Sequence, residues 1–136
     1  MQKYKFLKHT ADIKFQAFGK TIEEVFENSA LAMFNSMHEG KVKEKTKKEF
    51  GVGGKDFEAL MYNFLEELLF LFETENLFLS KIKVKINEKA KTLKATIWGD
   101  EVKNYEMHID VKAITYNEMY VKKKKNGWEA QVVLDV

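Results

Sequence analysis

The longest apolar pattern in the chain lies at residues 56–74, DFEALMYNFLEELLFLFET. Its apolar residues recur at spacings of three and four, which predicts a helix that is apolar over more than one stripe and is therefore largely covered. Charged residues interrupt the run too often for a membrane span, which needs about 20 consecutive mainly apolar residues. We therefore expect a core helix with Phe64 and Leu68 at its centre, packed mainly against sheet.

Two short strands are predicted near the start of the chain. Apolar and polar residues alternate over residues 4–8 and again over residues 13–18. The inward face of the second strand consists of Ile13, Phe15 and Ala17. The sequence HTAD lies between the two strands.

An amphipathic helix is predicted next. Thr21 and Glu24 have the spacing of a capping box, and the apolar stripe that follows runs to Met37. Gly40 is predicted to be the C-terminal cap of this helix. Residues 42–54 are charged and weakly patterned, which favours a poor edge strand that ends in a glycine turn before the core helix.

Strands are predicted again after the core helix. Residues 81–86 and 93–97 alternate clearly between apolar and polar side chains. Residues 105–113 show the same period, with Val111 and Ala113 on the inward face. This pattern predicts one long strand over residues 105–113.

The end of the chain has the pattern of a hairpin. Asn126 and Gly127 form a strong signal for a type I′ turn between residues 119–124 and 128–136. The predicted order is therefore ββαβα followed by a run of about five antiparallel strands. This order indicates an α+β fold, in which two helices pack on largely antiparallel sheet and residues 1–136 form a single domain.

Composition limits the functions that this domain can have. The 136 residues include no cysteine, which excludes disulfides, zinc–thiolate sites and thiol nucleophiles. The first residues, MQKYKFLKH, contain no apolar segment, so we expect a cytoplasmic protein with neither a signal peptide nor a membrane anchor. The 23 basic residues are all lysine and the net charge is +2, which is too small to argue for nucleic-acid binding by itself.

Common catalytic motifs are absent from the sequence. It has no glycine-rich phosphate-binding motif, no HExxH and no GxSxG. His9, His38 and His108 are scattered, which is typical of surface or strand histidines rather than of a triad. The basic runs at residues 41–48 and 122–125 are interpreted as solvated strand edges and a hairpin arm. An RNA footprint is the alternative, although no aromatic residues are interleaved with these runs.

One set of polar residues falls at predicted strand ends. Asp12, Lys112 and Asp135 are each out of phase with the inward residues of their strands. If those strand ends converge, two carboxylates and a lysine gather at one polar rim, together with the terminal carboxylate of Val136. Hard oxygen ligands of this kind suit Ca²⁺, Mg²⁺ or Mn²⁺. The alternative is that these aspartates simply form turns.

Several segments, taken together, resemble the archease family. They are HTADI at residues 9–13, the helix TIEEVFENSALAMF, the helix start DFEALM, VKAITY at residues 111–116 and the final LDV. The resemblance runs in the same order over essentially the whole chain. Two positions depart from the usual pattern: Asn117 stands where many members have His, and residues 99–101 read Gly-Asp-Glu where many have a Gly-Glu pair.

The resemblance implies an accessory function. Archeases are small α+β proteins that activate the RtcB-type tRNA-splicing ligase by promoting its guanylylation and multiple turnover and by broadening its use of nucleoside triphosphates. The family's metal site, carried over to this sequence, implies that Asp12, Asp135 and Val136 either bind a divalent cation or present a carboxylate to the metal site of the ligase. Lys112, from the KAxTY segment, is implied as a further functional residue. The expected protein is therefore not an enzyme in its own right.

Two other functions stay open at this point. One is a chaperone-like binding module for a tRNA methyltransferase, an activity that is also attributed to the family. The other is a stand-alone metal-dependent hydrolase, which would show turnover without any partner. For the protein itself we expect no direct sequence-specific nucleic-acid binding and no membrane association.

Overall fold

The computed structural model describes residues 2–8 and 11–136, so His9 and Thr10 of the HTAD sequence lie outside the described residues. Its elements, in chain order, are β1 (Tyr4–Leu7), β2 (Ile13–Gly19), α1 (Ile22–Met37), β3 (Thr46–Gly53), α2 (Phe57–Glu75), β4 (Leu77–Asn87), β5 (Thr92–Glu101), a 3-10 turn (Val102–Asn104), β6 (Ala113–Lys124) and β7 (Gly127–Asp135).

The strands form two antiparallel sheets. The four-stranded sheet has the order β1-β2-β7-β6, and the three-stranded sheet has the order β3-β5-β4. Each helix contacts strands of both sheets. The predicted α+β class is confirmed, with four strands after α2 rather than about five.

The start of α1 follows the predicted capping box. The hydroxyl of Thr21 accepts a hydrogen bond from the Glu24 N–H at 3.1 Å, and the Glu24 carboxylate accepts one from the Lys20 N–H at 3.0 Å. The predicted cap at Gly40 is wrong, because α1 ends at Met37 with His38 extended. The N–H of His108 donates to the Met37 carbonyl at 2.8 Å and so satisfies one of the carbonyls that the helix end leaves open.

The core helix α2 begins at the Asp56 cap, whose carboxylate accepts from the Ala59 N–H at 2.8 Å. Phe64 is fully buried, with its ring 5.7 Å from that of Phe26 on α1 and 6.2 Å from that of Phe50 on β3. Leu68 is also buried, so the predicted centre of the core is confirmed. Within the described part of the chain, neither helix has the length and apolar character needed to cross a bilayer.

The strand predicted at residues 105–113 is wrong. After the 3-10 turn the chain runs without regular structure until Ala113. Part of its backbone bonds to the end of α1: the Glu106 carbonyl lies 2.8 Å from Nδ1 of His38, and the His108 N–H donates to the Met37 carbonyl. The alternating apolar residues do not share one buried face, because Val111 is buried while Ile109 is exposed.

The predicted β6–β7 hairpin is confirmed, but its predicted type I′ turn is wrong. Lys124 pairs with Gly127, so Lys125 and Asn126 form the turn, and neither has the positive φ that a type I′ turn requires. Gly127 itself has φ 142°, and a Cβ at this position would lie 2.3 Å from the Gly19 carbonyl oxygen. Gly127 is therefore required by its backbone conformation and by its close approach to β2.

Candidate functional site

Two of the predicted site residues come together at one edge of the four-stranded sheet. β7 lies between β2 and β6, with Ile13 opposite Leu134 and Ala113 opposite Asp135. Asp12 directly precedes Ile13 and Asp135 directly follows Leu134, so both residues lie at this end of the β2–β7 ladder. Because β2 and β6 begin where β7 ends, the three strand ends meet at this edge.

The alternation of buried positions in β7 fixes the face on which Asp135 lies. Leu134 is fully buried, and Ile13 packs against the core. Asp135 is exposed and occupies the alternate phase, on the sheet face that points away from the core. Asp12 lies one residue before β2 and is partly buried.

Lys112 joins this edge through its backbone. Its N–H donates to the Asp135 carbonyl at 2.8 Å, and its side chain is exposed. The predicted inward position of Ala113 is wrong, since Ile114 is the buried residue and Ala113 pairs with Asp135. Lys112 lies one residue before the start of β6. Its side chain is therefore in the same phase as that of Ile114 and not in the phase of Asp135.

Val136 extends β7 by one residue past Asp135. Its side chain is partly buried and packs against the hydrophobic core. This packing follows the alternation of β7, in which Leu134 and Val136 point inward and Asp135 points outward. The apolar side chain thus holds the main-chain end of Val136 beside the strand end that carries Asp135.

Lys14 is a neighbour of the site that the sequence argument did not identify. It lies two residues after Asp12, on the same face of β2, and its ammonium is 3.0 Å from a carboxylate oxygen of Glu118. Its side chain is 17% exposed, and Glu118 sits at the irregular part of β6 with φ 54°. The spacing of two from Asp12 is the sequence signal that would have found Lys14.

A hydrogen-bonded network covers the same face farther along the sheet. The amide of Gln16 donates to Gln131 at 3.0 Å and to the hydroxyl of Tyr120 at 3.2 Å. That hydroxyl donates to the Glu129 carboxylate at 2.5 Å. Burial is the larger cause and the adjacent Glu129 the smaller cause that raise the pKa of Tyr120 to about 12. Tyr120 therefore stays a neutral donor at physiological pH.

A groove of about 410 Å³ opens beside Asp12. Two exposed apolar side chains, Phe6 and Ile109, lie along it. Asn35 and Glu39 from the end of α1 contribute polar groups. The groove therefore combines exposed apolar side chains with two carboxylates, those of Asp12 and Glu39. Its lining was not predicted, because it joins segments that are distant in sequence.

The donor set at this edge has the chemistry of a hard-cation site. Asp12 and Asp135 supply carboxylate oxygens, which suit Ca²⁺, Mg²⁺ or Mn²⁺. Across residues 2–8 and 11–136, no group of three or more His, Cys, Asp or Glu side chains is placed to hold a metal ion. Two side-chain carboxylates are fewer oxygens than such a cation takes, so a cation here would need further donors, such as main-chain oxygens.

Asp100, at the position where the sequence departs from the archease pattern, belongs to a separate cluster. Its carboxylate accepts hydrogen bonds from the Tyr105 hydroxyl at 2.8 Å and from the Glu101 N–H at 2.8 Å. The hydrogen bond from Tyr105 is the main cause that lowers the pKa of Asp100. This carboxylate therefore fixes the turn after β5 and is not a member of the site at Asp12 and Asp135.

Comparison with known proteins gives one consistent result over the whole chain. The family model described as the Archease protein family (MTH1598/TM1083) matches residues 4–136. The chain is 41% identical to protein archease of Methanosarcina acetivorans, with 99% of this chain and 97% of that protein covered. It is 44% identical to protein archease of Thermococcus kodakarensis, with both chains fully covered.

A solved structure agrees with these sequence matches. The solution structure of Methanobacterium thermoautotrophicum protein 1598 superposes with a TM-score of 0.88 at 38% identity, and the alignment covers 100% of both chains. The family model, the sequence relatives and this structure lead to the same assignment: the chain belongs to the archease family.

Proposed function

We propose that this chain is an accessory protein that activates an RtcB-type tRNA-splicing RNA ligase. It promotes guanylylation of the ligase, increases the number of ligation turnovers and broadens the range of nucleoside triphosphates that the ligase uses. The observation that carries the proposal is the match to the archease family over residues 4–136. The β2–β7 register, which ends with Ile13 opposite Leu134, supports a role for the neighbouring residues Asp12 and Asp135.

In this proposal Asp12, Asp135 and the main-chain carboxylate of Val136 form the acidic site. A divalent cation, Ca²⁺, Mg²⁺ or Mn²⁺, would supply positive charge that stabilises phosphate oxygens. Lys112, whose N–H donates to the Asp135 carbonyl, has an exposed side chain in the opposite phase from that of Asp135, and its ammonium offsets negative charge at this edge of the sheet. Lys14, paired with Glu118, holds an ammonium on the outer face of the sheet, where Asp135 lies.

A nucleotidyl-transfer assay tests the proposed function. The ligase, GTP and a divalent metal are mixed with this protein at a substoichiometric level, and guanylylated ligase and joined RNA are both measured. We expect more turnovers per ligase in the presence of this protein, and no covalent nucleotide or RNA joining by this protein alone. A covalent nucleotide on this chain, or an unchanged number of turnovers, contradicts the accessory function.

The variant Asp135→Ala tests the acidic site in the same assay. Asp135 is exposed, and the hydrogen bond from Lys112 goes to its main-chain carbonyl, so the free energy of unfolding should change by less than about 0.5 kcal/mol. Activation of the ligase should be lost, and calorimetric titration with Ca²⁺, Mg²⁺ or Mn²⁺ should show weaker binding. Glu73→Ala, which removes an exposed carboxylate from α2, is the control and should keep both properties. Full activation by Asp135→Ala would show that the site is placed wrongly.

A further inference from the structure

The outer face of the three-stranded sheet carries mostly positively charged side chains. Three rows cross β3, β5 and β4 in register: Lys47–Trp98–Lys81, Glu49–Thr96–Lys83 and Gly51–Lys94–Lys85. These positions hold five lysines and one carboxylate, and all five lysines are exposed. We call this surface the lysine face.

The lysine face also carries an aromatic ring. Trp98 lies between two lysines in its row, with the ammonium of Lys81 at 4.7 Å and that of Lys47 at 5.9 Å from the ring centroid. Trp98 is partly exposed and lies on the polar side of the sheet, whereas the other side of the sheet packs against the core. An indole ring with cationic neighbours offers a base a stacking surface and offers phosphates their counter-charges.

A groove of about 490 Å³ runs along the lysine face, lined by Lys83, Lys85 and Lys94 together with Gly51. Neither backbone conformation nor packing explains this glycine. Its φ is not positive, and a Cβ would meet no atom closer than the Leu93 carbonyl oxygen at 3.5 Å. A glycine inside a strand weakens the strand and often marks a place where a ligand approaches closely.

We propose that the lysine face binds a single-stranded segment of RNA without sequence specificity. Lysines two residues apart on β4 are about 6.6 Å apart, a spacing comparable with that of successive phosphates in an extended strand. The ring of Trp98 selects a single strand, because the faces of paired bases in a duplex are covered by their neighbours. This activity is additional to the proposed activation of the ligase, and its test contains no ligase.

Fluorescence anisotropy with a labelled single-stranded RNA of mixed sequence measures the binding. Five lysine contacts predict that log K falls with log salt concentration with a slope of about −3.5, which is about 0.7 for each phosphate neutralised on a single strand. The double variant Lys85→Gln/Lys94→Gln should reduce the magnitude of this slope by about 1.4. The matched control Lys123→Gln/Lys124→Gln removes the same charge from the β6–β7 hairpin and should leave the slope unchanged.

Two further variants test the ring and the groove. Trp98→Leu should weaken binding of single-stranded RNA about tenfold, while the weaker binding of duplex RNA stays unchanged. Gly51→Thr should obstruct the groove and weaken RNA binding, and a thermal unfolding curve will show that the sheet is intact. Equal losses for the lysine-face and hairpin variants, or a Trp98→Leu variant that binds single strands normally, would overturn the proposal. Binding that prefers duplex RNA, or an acidic protein over RNA, would overturn it as well.

Discussion

Glu27 and Glu23 close a sheet edge with their side chains. β4 is an edge strand of the three-stranded sheet, and such an edge presents unpaired N–H groups. The carboxylate of Glu27 accepts from the Val84 N–H at 2.9 Å, and that of Glu23 accepts from the Ile86 N–H at 3.4 Å. Two residues one helical turn apart on α1 therefore satisfy two donors that are two residues apart on β4.

Glu27→Gln is predicted to change the pH dependence of stability. Burial raises the pKa of Glu27 above its ordinary value of 4.5, and this effect exceeds that of the hydrogen bond from Val84. Because the folded-state pKa is higher than the unfolded-state pKa, the stability that this group contributes is present below pH 4.5 and is lost as pH rises through the folded value. Glutamine stays neutral and keeps an oxygen that can accept from Val84. Urea unfolding at pH 4 and pH 7 should therefore show the variant gaining stability relative to the parent chain as pH rises.

The matched control for this experiment is Glu73→Gln, which removes one negative charge from an exposed position of α2. It separates a local effect at Glu27 from a general effect of net charge. If Glu27→Gln lowers stability by the same amount at both pH values, the carboxylate is needed for its hydrogen bond and the burial argument fails.

Helix α2 offers a direct comparison between a buried and an exposed phenylalanine. Phe64 is fully buried against aromatic rings of α1 and β3, whereas Phe70 on the same helix is 54% exposed. Phe64→Ala should lower the free energy of unfolding by about 3–5 kcal/mol, because it removes buried surface and leaves a cavity. Phe70→Ala should change it by less than about 0.5 kcal/mol. Urea denaturation of both variants measures the difference, and similar losses would mean that the buried face of α2 is assigned wrongly.

Sequence periodicity predicted elements that bury one face in regular structure. The helix at Phe57–Glu75 and residues 81–86 of the strand at Leu77–Asn87 were predicted because their apolar residues repeat with the helical or the strand period. The same criterion failed at residues 105–113, where the alternating residues pack irregularly and the backbone bonds to the end of α1. Local alternation does not tell which partner takes the backbone hydrogen bonds.

The candidate site was predictable only in part. The strand ends follow from the apolar pattern, and the sequence supported a shared rim on the condition that those ends converge. The pairing of β2 with β7, which meets that condition, does not follow from the pattern. The phase of Lys112 does not follow from it either, since it depends on β6 starting at Ala113 with Ile114 inward. Lys14–Glu118 and the groove at Phe6 and Ile109 depend on strand register between distant segments, which a single sequence does not contain.

At the scale of the whole molecule, the first and last strands occupy different positions in the four-stranded sheet. β1 is an edge strand, whereas β7 lies between β2 and β6. Residues added before Tyr4 would extend from an edge. Residues added after Val136 would extend from the strand end that carries Asp135.

A short extension after Val136 is therefore predicted to abolish activation of the ligase, because it converts the main-chain carboxylate into an amide and crowds the acidic site. The same extension at the start of the chain should leave activation unchanged. Both proteins should unfold at the same urea concentration to within about 0.5 kcal/mol of stability. Side-by-side ligase assays decide the outcome, and equal activation by the two proteins would remove Val136 from the proposed site.

The central position of β7 also governs when the protein can fold during synthesis. β2 finds its second partner only in residues 127–135, more than a hundred residues later in the chain. On the ribosome, the β1–β2 hairpin therefore has one unpaired edge until β7 has been synthesised. One face of β2 is largely apolar and lacks its cover during this time. Pairing between such distant segments carries a high loop-closure cost and slows folding. A nascent chain stalled before β7 emerges should accordingly remain sensitive to protease, and protection should appear abruptly once that strand is released.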